Sequence, residues 1–130
     1  AGPVSDDGAV IDSLKLIVGD SYSPPKWASG TNTTIGVIAT NARLTTEEAN
    51  RVAIVGHDGM AMAVRPTHMQ YDGDTLFAIG TGDTDVPVDM TRLGAAAAHC
   101  VARACVNGVQ AATSLGGIIA AGDLVRGEDT

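Results

Sequence analysis

Thr33 is the residue of this 130-residue chain best placed to do chemistry. It follows a stretch from Gly19 to Gly30 that holds Pro24-Pro25 and several serines, the signature of an exposed, irregular linker. It opens Thr33-Thr34-Ile35-Gly36-Val37-Ile38-Ala39-Thr40, a β-branched run bounded by turn formers, which predicts a buried strand. A threonine at such a junction suits an N-terminal nucleophile. The bond before it is accessible, and the new chain end is held rigidly in a sheet. The hydroxyl attacks the preceding carbonyl, and hydrolysis of the resulting ester frees the α-amine. An α-amine has an unperturbed pKa of about 7.7–8.0, so it can act as base for its own hydroxyl near neutral pH. Two plainer readings stand beside this one. Asn32-Thr33-Thr34 also spells a glycosylation sequon, and a threonine at a strand start is also an ordinary β-former.

The second group is Tyr71-Asp72-Gly73-Asp74-Thr75, a double-aspartate turn just ahead of another strand. It reads either as a solvated Asp-Gly turn or as a pair of carboxylates facing one site, orienting an amine and hydroxyl and tuning their proton affinity. A calcium loop extended through Asp83, Asp85 and Asp89 fails. Counted from Asp72 or Asp74, it has no glycine at loop position 6 and no glutamate at position 12. His57 and His68 are 11 residues apart, beyond any one-helix ligand pair, and read as core or surface histidines, as does His99. Cys100 and Cys105 lack metal spacing. On one helix they stand about 140° apart, which predicts reduced core thiols of a cytosolic protein rather than a disulfide. Gly80-Thr81-Gly82 is too short for a phosphate loop, and no Walker lysine follows it. No cofactor or metal is expected.

The elements that must position these residues are legible from periodicity. Ala9–Val18 predicts a short strand. Thr45-Thr46-Glu47-Glu48 offers a capping box, and Ala49, Val52, Ala53, Gly56, Met60, Ala63 and Val64 then recur on one helical face. Pro66 ends that helix, and Arg65 before it reads as part of the stop, a dipole-favoured cation, in preference to a substrate contact. Thr75-Leu76-Phe77-Ala78-Ile79-Gly80 predicts a second strand. A long alanine-rich helix runs from about Met90 to Ala112, with Arg92, His99, Arg103 and Gln110 on a polar stripe. An apolar tail, Leu115 to Ala121, and a polar end follow. Strand, helix, strand, helix is an α/β order whose sheet topology periodicity leaves open.

Composition narrows the function classes. The net charge is −7, which argues against a duplex-DNA binder, and four aromatic residues are too few for a single-strand stacking platform. A hydrophobic fraction of 45% fits one folded domain or a piece of a larger one. No apolar run of membrane-spanning length and no secretory leader is visible. The chain starts at Ala1 rather than Met and reads as a processed product or an excised fragment.

Taken in order, Asn32-Thr33-Thr34-Ile35-Gly36-Val37-Ile38-Ala39-Thr40, His57-Asp58-Gly59-Met60-Ala61, Arg65-Pro66-Thr67-His68 and Asp72-Gly73-Asp74-Thr75-Leu76-Phe77-Ala78 resemble one family. It is the DmpA-like L-aminopeptidase/D-esterase family of N-terminal-nucleophile hydrolases, which includes β-peptidyl aminopeptidases, pantetheine hydrolases and nylon-oligomer hydrolases. The resemblance covers residues 30–112. It implies a self-processing precursor cut into α and β parts, an αββα sandwich, and homo-oligomers acting on small amide or peptide substrates. Carried over residue by residue, the scissile bond is Asn32–Thr33, Thr33 is the nucleophile, and Asp72 and Asp74 are the paired acidic positions of the branch near the nylon-oligomer hydrolases. Residues 1–32 are then the tail of the α part and 33–130 the β part. The family's catalytic Lys and oxyanion-binding Asn lie upstream in the α part, and neither Lys15 nor Lys26 matches them. By itself the segment is expected to be inactive. A reading of a different class is a non-catalytic acidic binding or assembly module, docking through the helix from Met90 to Ala112.

Overall fold

A computed structural model describes residues 3, 5, 8–23 and 33–124. The chain forms two compact units, one from residues 24–103 and the other from 1–23 with 104–130. The architecture is mixed α/β.

In the first unit the β-branched run forms β1 (Ile35–Ala42), and the second predicted strand forms β2 (Thr75–Thr84). Between them runs α2 (Thr46–Ala63); α1 lies earlier, in the other unit. The capping box at the start of α2 is present: Glu48 N donates to Thr45 Oγ1 at 3.2 Å, and Thr45 N donates to Glu48 Oε2 at 2.8 Å. The helix stops at Val64, whose backbone is extended, two residues before Pro66. β1 and β2 pair in parallel, the topology that a helical crossover permits, in a register running from Ile35 opposite Thr75 to Thr40 opposite Gly80. Beyond that point β2 bulges at Thr81–Asp83, where Gly82 takes φ +74°.

Alternation divides the two faces of this strand pair. Ile38 and Ala42 are buried and Leu76 half-buried on the face that α2 covers. Val52, Gly56, Gly59 and Met60 are the buried positions of α2. A methyl at Gly56 would stand 2.5 Å from Ile38 Cδ1, so the helix lies close on the sheet there. Gly59 lets α2 touch α3 (Met90–Ala111) backbone to backbone, since a Cβ there would stand 2.1 Å from the Ala98 carbonyl oxygen. The other sheet face carries Ile35, Val37, Phe77 and Ile79, all more than half exposed. Helix α3 is capped by Asp89, which accepts from Thr91 N and Arg92 N, and its polar stripe is exposed as expected.

In the second unit one expectation is overturned. Residues 9–18 contain a helix, α1 (Ser13–Ile17), rather than a strand. The alternation of Leu14, Leu16 and Val18 mimics a strand, but Asp12 accepts from Leu14 N at 2.9 Å and Lys15 N at 3.4 Å and starts a helical turn instead. Leu115 and Ile118 exchange backbone hydrogen bonds across Gly116-Gly117, both at positive φ, and the chain continues into α4 (Ala121–Leu124). Cys100 and Cys105, both on α3, are free thiols, but Cys100 is exposed and Cys105 half-buried, so neither is the core residue expected. Among the described residues no helix is long and apolar enough to cross a membrane. The linker expected over 19–30 lies mostly outside the described residues, as do Lys26, Asn32 and the polar end.

Candidate active site

Parallel pairing brings the two chemistry-bearing stretches together. Two parallel strands enter the sheet at the same end, so the residues just before Ile35 and just before Thr75 become neighbours. The ladder reaches one step further, with Thr75 N donating to the Thr34 carbonyl at 2.9 Å. Thr33 and Gly73 meet beyond it. A Cβ on Gly73 would stand 2.7 Å from Thr33 Oγ1, so only a glycine leaves the hydroxyl where it is. Thr33 itself is exposed.

Asp74 turns to the covered side, where its side chain keeps only 8% of its exposure. Its Oδ1 accepts from Thr34 N at 3.0 Å. Its Oδ2 accepts from Thr67 Oγ1 at 3.2 Å and lies 3.2 Å from His68 Nδ1. Burial alone would raise the pKa of this carboxyl. The Thr34 N–H, the Thr67 and Thr34 hydroxyls and the nearby His68 together outweigh burial and hold it below the ordinary aspartate value. Asp74 is therefore an acceptor that fixes the residue following Thr33.

Residues 7–121 match the family described as Peptidase family S58. The chain belongs to that family. It is 43% identical over 109 residues to an uncharacterized aminopeptidase of Mycobacterium tuberculosis, covering 74% of this chain and 32% of that protein. It is 47% identical over 103 residues to an uncharacterized aminopeptidase of Mycobacterium leprae, covering 69% and 28%. Against the 6-aminohexanoate-oligomer endohydrolase of Paenarthrobacter ureafaciens it is 40% identical over 87 residues, covering 58% and 24%. This S58 chain thus spans about a third or less of the length of these curated relatives.

Asp72 in this S58 chain does a different job from Asp74. Its Oδ2 accepts from Met69 N at 2.7 Å, while its own N–H donates to the Met69 carbonyl at 3.0 Å. It closes the turn that carries His68 toward Asp74. Asn32 lies outside the described residues.

Two partners of Asp74 are not singled out by sequence reasoning. Thr34 and Thr67 give no spacing signal of their own. His57 is half-buried and His68 exposed, in line with the reading of core or surface histidines, but the two meet, which spacing does not show. His57 sits near the C-terminal end of α2, where a helix crossing between parallel strands returns to the entry end of the sheet. His68 lies in the loop that follows, and His57 Nδ1 and His68 Nε2 are 3.3 Å apart. The crossover, rather than a helical repeat, makes residues 11 positions apart meet.

Proposed function

We propose that this S58 chain is the nucleophile-bearing segment of a self-processing amide hydrolase, cut between Asn32 and Thr33. The observation that carries the reading is the placement of Thr33 Oγ1 against Gly73 while Asp74 holds the next peptide N–H. In processing, Thr33 Oγ attacks the Asn32 carbonyl carbon, the peptide nitrogen leaves as the amine of Thr33, and the Asn32 acyl group passes to the hydroxyl as an ester. Water hydrolyses the ester and leaves a free amine and a free hydroxyl on Thr33. In turnover that amine takes the hydroxyl proton as Oγ attacks a substrate amide. The C–N bond breaks, the substrate's amine leaves with that proton, and water hydrolyses the acyl-enzyme ester to release the acid and regenerate Thr33. Asp74, with Asp72 shaping its loop, is the orienting group. The oxyanion donors are shared with the upstream α part.

In this reading the exposed face of Ile35, Val37, Phe77 and Ile79 is where the α part completes an αββα sandwich, since an apolar patch of this kind marks a contact surface. The assembled protein is then a homo-oligomer of a reducing, cytoplasmic compartment, taking small amides or peptides. The names of the relatives, uncharacterized aminopeptidase and 6-aminohexanoate-oligomer endohydrolase, support that substrate class. An acidic assembly module docking through the helix from Met90 to Ala112 would leave Thr33 without a chemical role.

The test is denaturing intact mass of the full-length protein, fresh and after incubation. Wild type is expected to break between Asn32 and Thr33, Thr33→Ala to stay whole, and Thr33→Ser or Thr33→Cys to retain partial cleavage. A wild-type chain that stays whole refutes the reading. A structural Thr33 would make all three substitutions mild, within about 1–2 kcal/mol of stability.

A further inference from the structure

His68 has both ring nitrogens engaged. Nδ1 lies 3.2 Å from Asp74 Oδ2, and Nε2 lies 3.3 Å from His57 Nδ1. The two rings meet edge to face, with centroids 4.7 Å apart and planes at 64°. The contact with Asp74 is an ion-pair contact, and since an ionised carboxylate only accepts, it favours the His68 tautomer with its proton on Nδ1. In the neutral ring Nε2 is then bare and accepts from His57 Nδ1–H. In that tautomer the contacts run one way, from His57 through His68 to the Asp74 ion pair, and the other oxygen of that carboxylate accepts from Thr34 N–H. The chain of contacts ends one peptide from Thr33.

The backbone of His68 adds a second observation. Its φ is +58°, a left-handed conformation that costs a residue with a Cβ about 1–2 kcal/mol. Its side chain is still 38% exposed, so apolar burial does not account for that conformation. What the conformation achieves is the aim of Nδ1 at Asp74, the pattern expected where local strain serves a site.

We infer that His68, oriented by His57, is the positioning residue for Asp74 and through it for the backbone that presents Thr33. The inference rests on the proposed nucleophile role of Thr33 and adds two residues to that site. His68 acts on the carboxylate, not on a substrate.

The test is the first-order rate of self-cleavage of the full-length protein, followed by intact mass, with thermal unfolding of each variant. His68→Asn retains an N–H donor near the Nδ1 position and tolerates positive φ, but loses the link to His57. It is expected to slow cleavage only about three- to tenfold, the cost of that link alone, whereas His68→Leu, with no donor, slows by about 10- to 100-fold, the scale of a misplaced reacting group. His57→Leu is expected to slow cleavage about three- to tenfold through a looser His68. It should add nothing when combined with His68→Asn, because that variant has already lost the link. If His68→Leu does not fold, the His57→Leu single variant and its combination with His68→Asn decide. Folded His68→Leu or His57→Leu cleaving at the wild-type rate overturns the inference while leaving the Thr33 reading intact. So does His68→Asn as slow as His68→Leu with both folded. Wild type and Thr33→Ser both remaining whole overturns the two together.

Discussion

Gly73→Ala separates the chemistry of Thr33 from the stability of the fold. A Cβ at Gly73 would stand 2.7 Å from Thr33 Oγ1, about 0.7 Å inside ordinary contact at 3.4 Å. The glycine is not at positive φ, so alanine can adopt its backbone. The atom that must yield is a side-chain hydroxyl at an exposed position, and a threonine displaced from its rotamer costs about 0.5–1.5 kcal/mol. Replacing glycine also restricts the unfolded chain, which returns about 0.4–1 kcal/mol. The two nearly cancel, and Tm should move by no more than a few degrees. The reacting hydroxyl has no such compensation. A misplacement of about 1 Å can cost about 10²-fold, so 0.7 Å should slow self-cleavage about 10- to 30-fold, or ~1.4–2 kcal/mol on the barrier. The assay is intact mass against time on freshly purified full-length protein, with Tm measured on the same sample. A folded Gly73→Ala protein that cleaves within twofold of wild type refutes the placement of the hydroxyl. A slowing matched by an equal loss of stability refutes the separation of the two effects.

Gly59→Ala should do the reverse, because its Cβ would stand 2.1 Å from the Ala98 carbonyl oxygen, a backbone atom that cannot rotate away. Overpacking of about 1–3 kcal/mol then outweighs the gain of about 1 kcal/mol in helix propensity, and thermal unfolding should show a lower Tm. Asp74→Asn should flatten the acid limb of stability. The folded carboxyl lies below its ordinary value, so its contribution is present above the unfolded value of about 3.9 and is lost as pH falls through the lower folded one. Urea unfolding of wild type and variant between neutral and acid pH checks this, and the variant should also be weaker at pH 7 by about 1–2 kcal/mol. Val37→Asp tests the exposed sheet face. If the α part covers Val37 in the full-length protein, Tm falls by the several-degree equivalent of about 2–4 kcal/mol, whereas an open face would leave stability within about 0.5 kcal/mol.

The parts of the fold that could be read from the sequence are those fixed by local physics. The Thr45/Glu48 box, the apolar face of α2 and the β-branched run after Thr33 each specify their element within a few residues, and β2 departs from expectation only in running on to Thr84 past its bulge. The segment from Ser13 to Val18 departs from expectation because alternation of three apolar side chains carries less weight than one aspartate, Asp12, that caps a turn. Thr33 and Asp74 could be singled out by type and by resemblance. Their juxtaposition could not be, since it depends on parallel pairing, which a one-dimensional pattern does not specify. The His57–His68 contact was hidden for the same reason: it is set by where a crossover helix ends, and no spacing encodes that.

The alternation of the strands also separates two tasks. Asp74 lies in phase with Leu76 and Ala78, the side of β2 turned to α2, and its carboxylate is surrounded there by donors. Thr33 lies in phase with Ile35 and Val37, and Gly73 with Phe77 and Ile79, on the uncovered side. The Thr34 peptide joins the two. In the proposed reading, the groups that orient the nucleophile are therefore held within this chain, by the helix side of the sheet. The groups that bound the substrate must come from whatever covers the apolar side. A change in substrate preference would then arise in the α part without disturbing Asp74 or its histidines. A change at Asp74, Thr67 or His68 would instead alter the rate for every substrate alike.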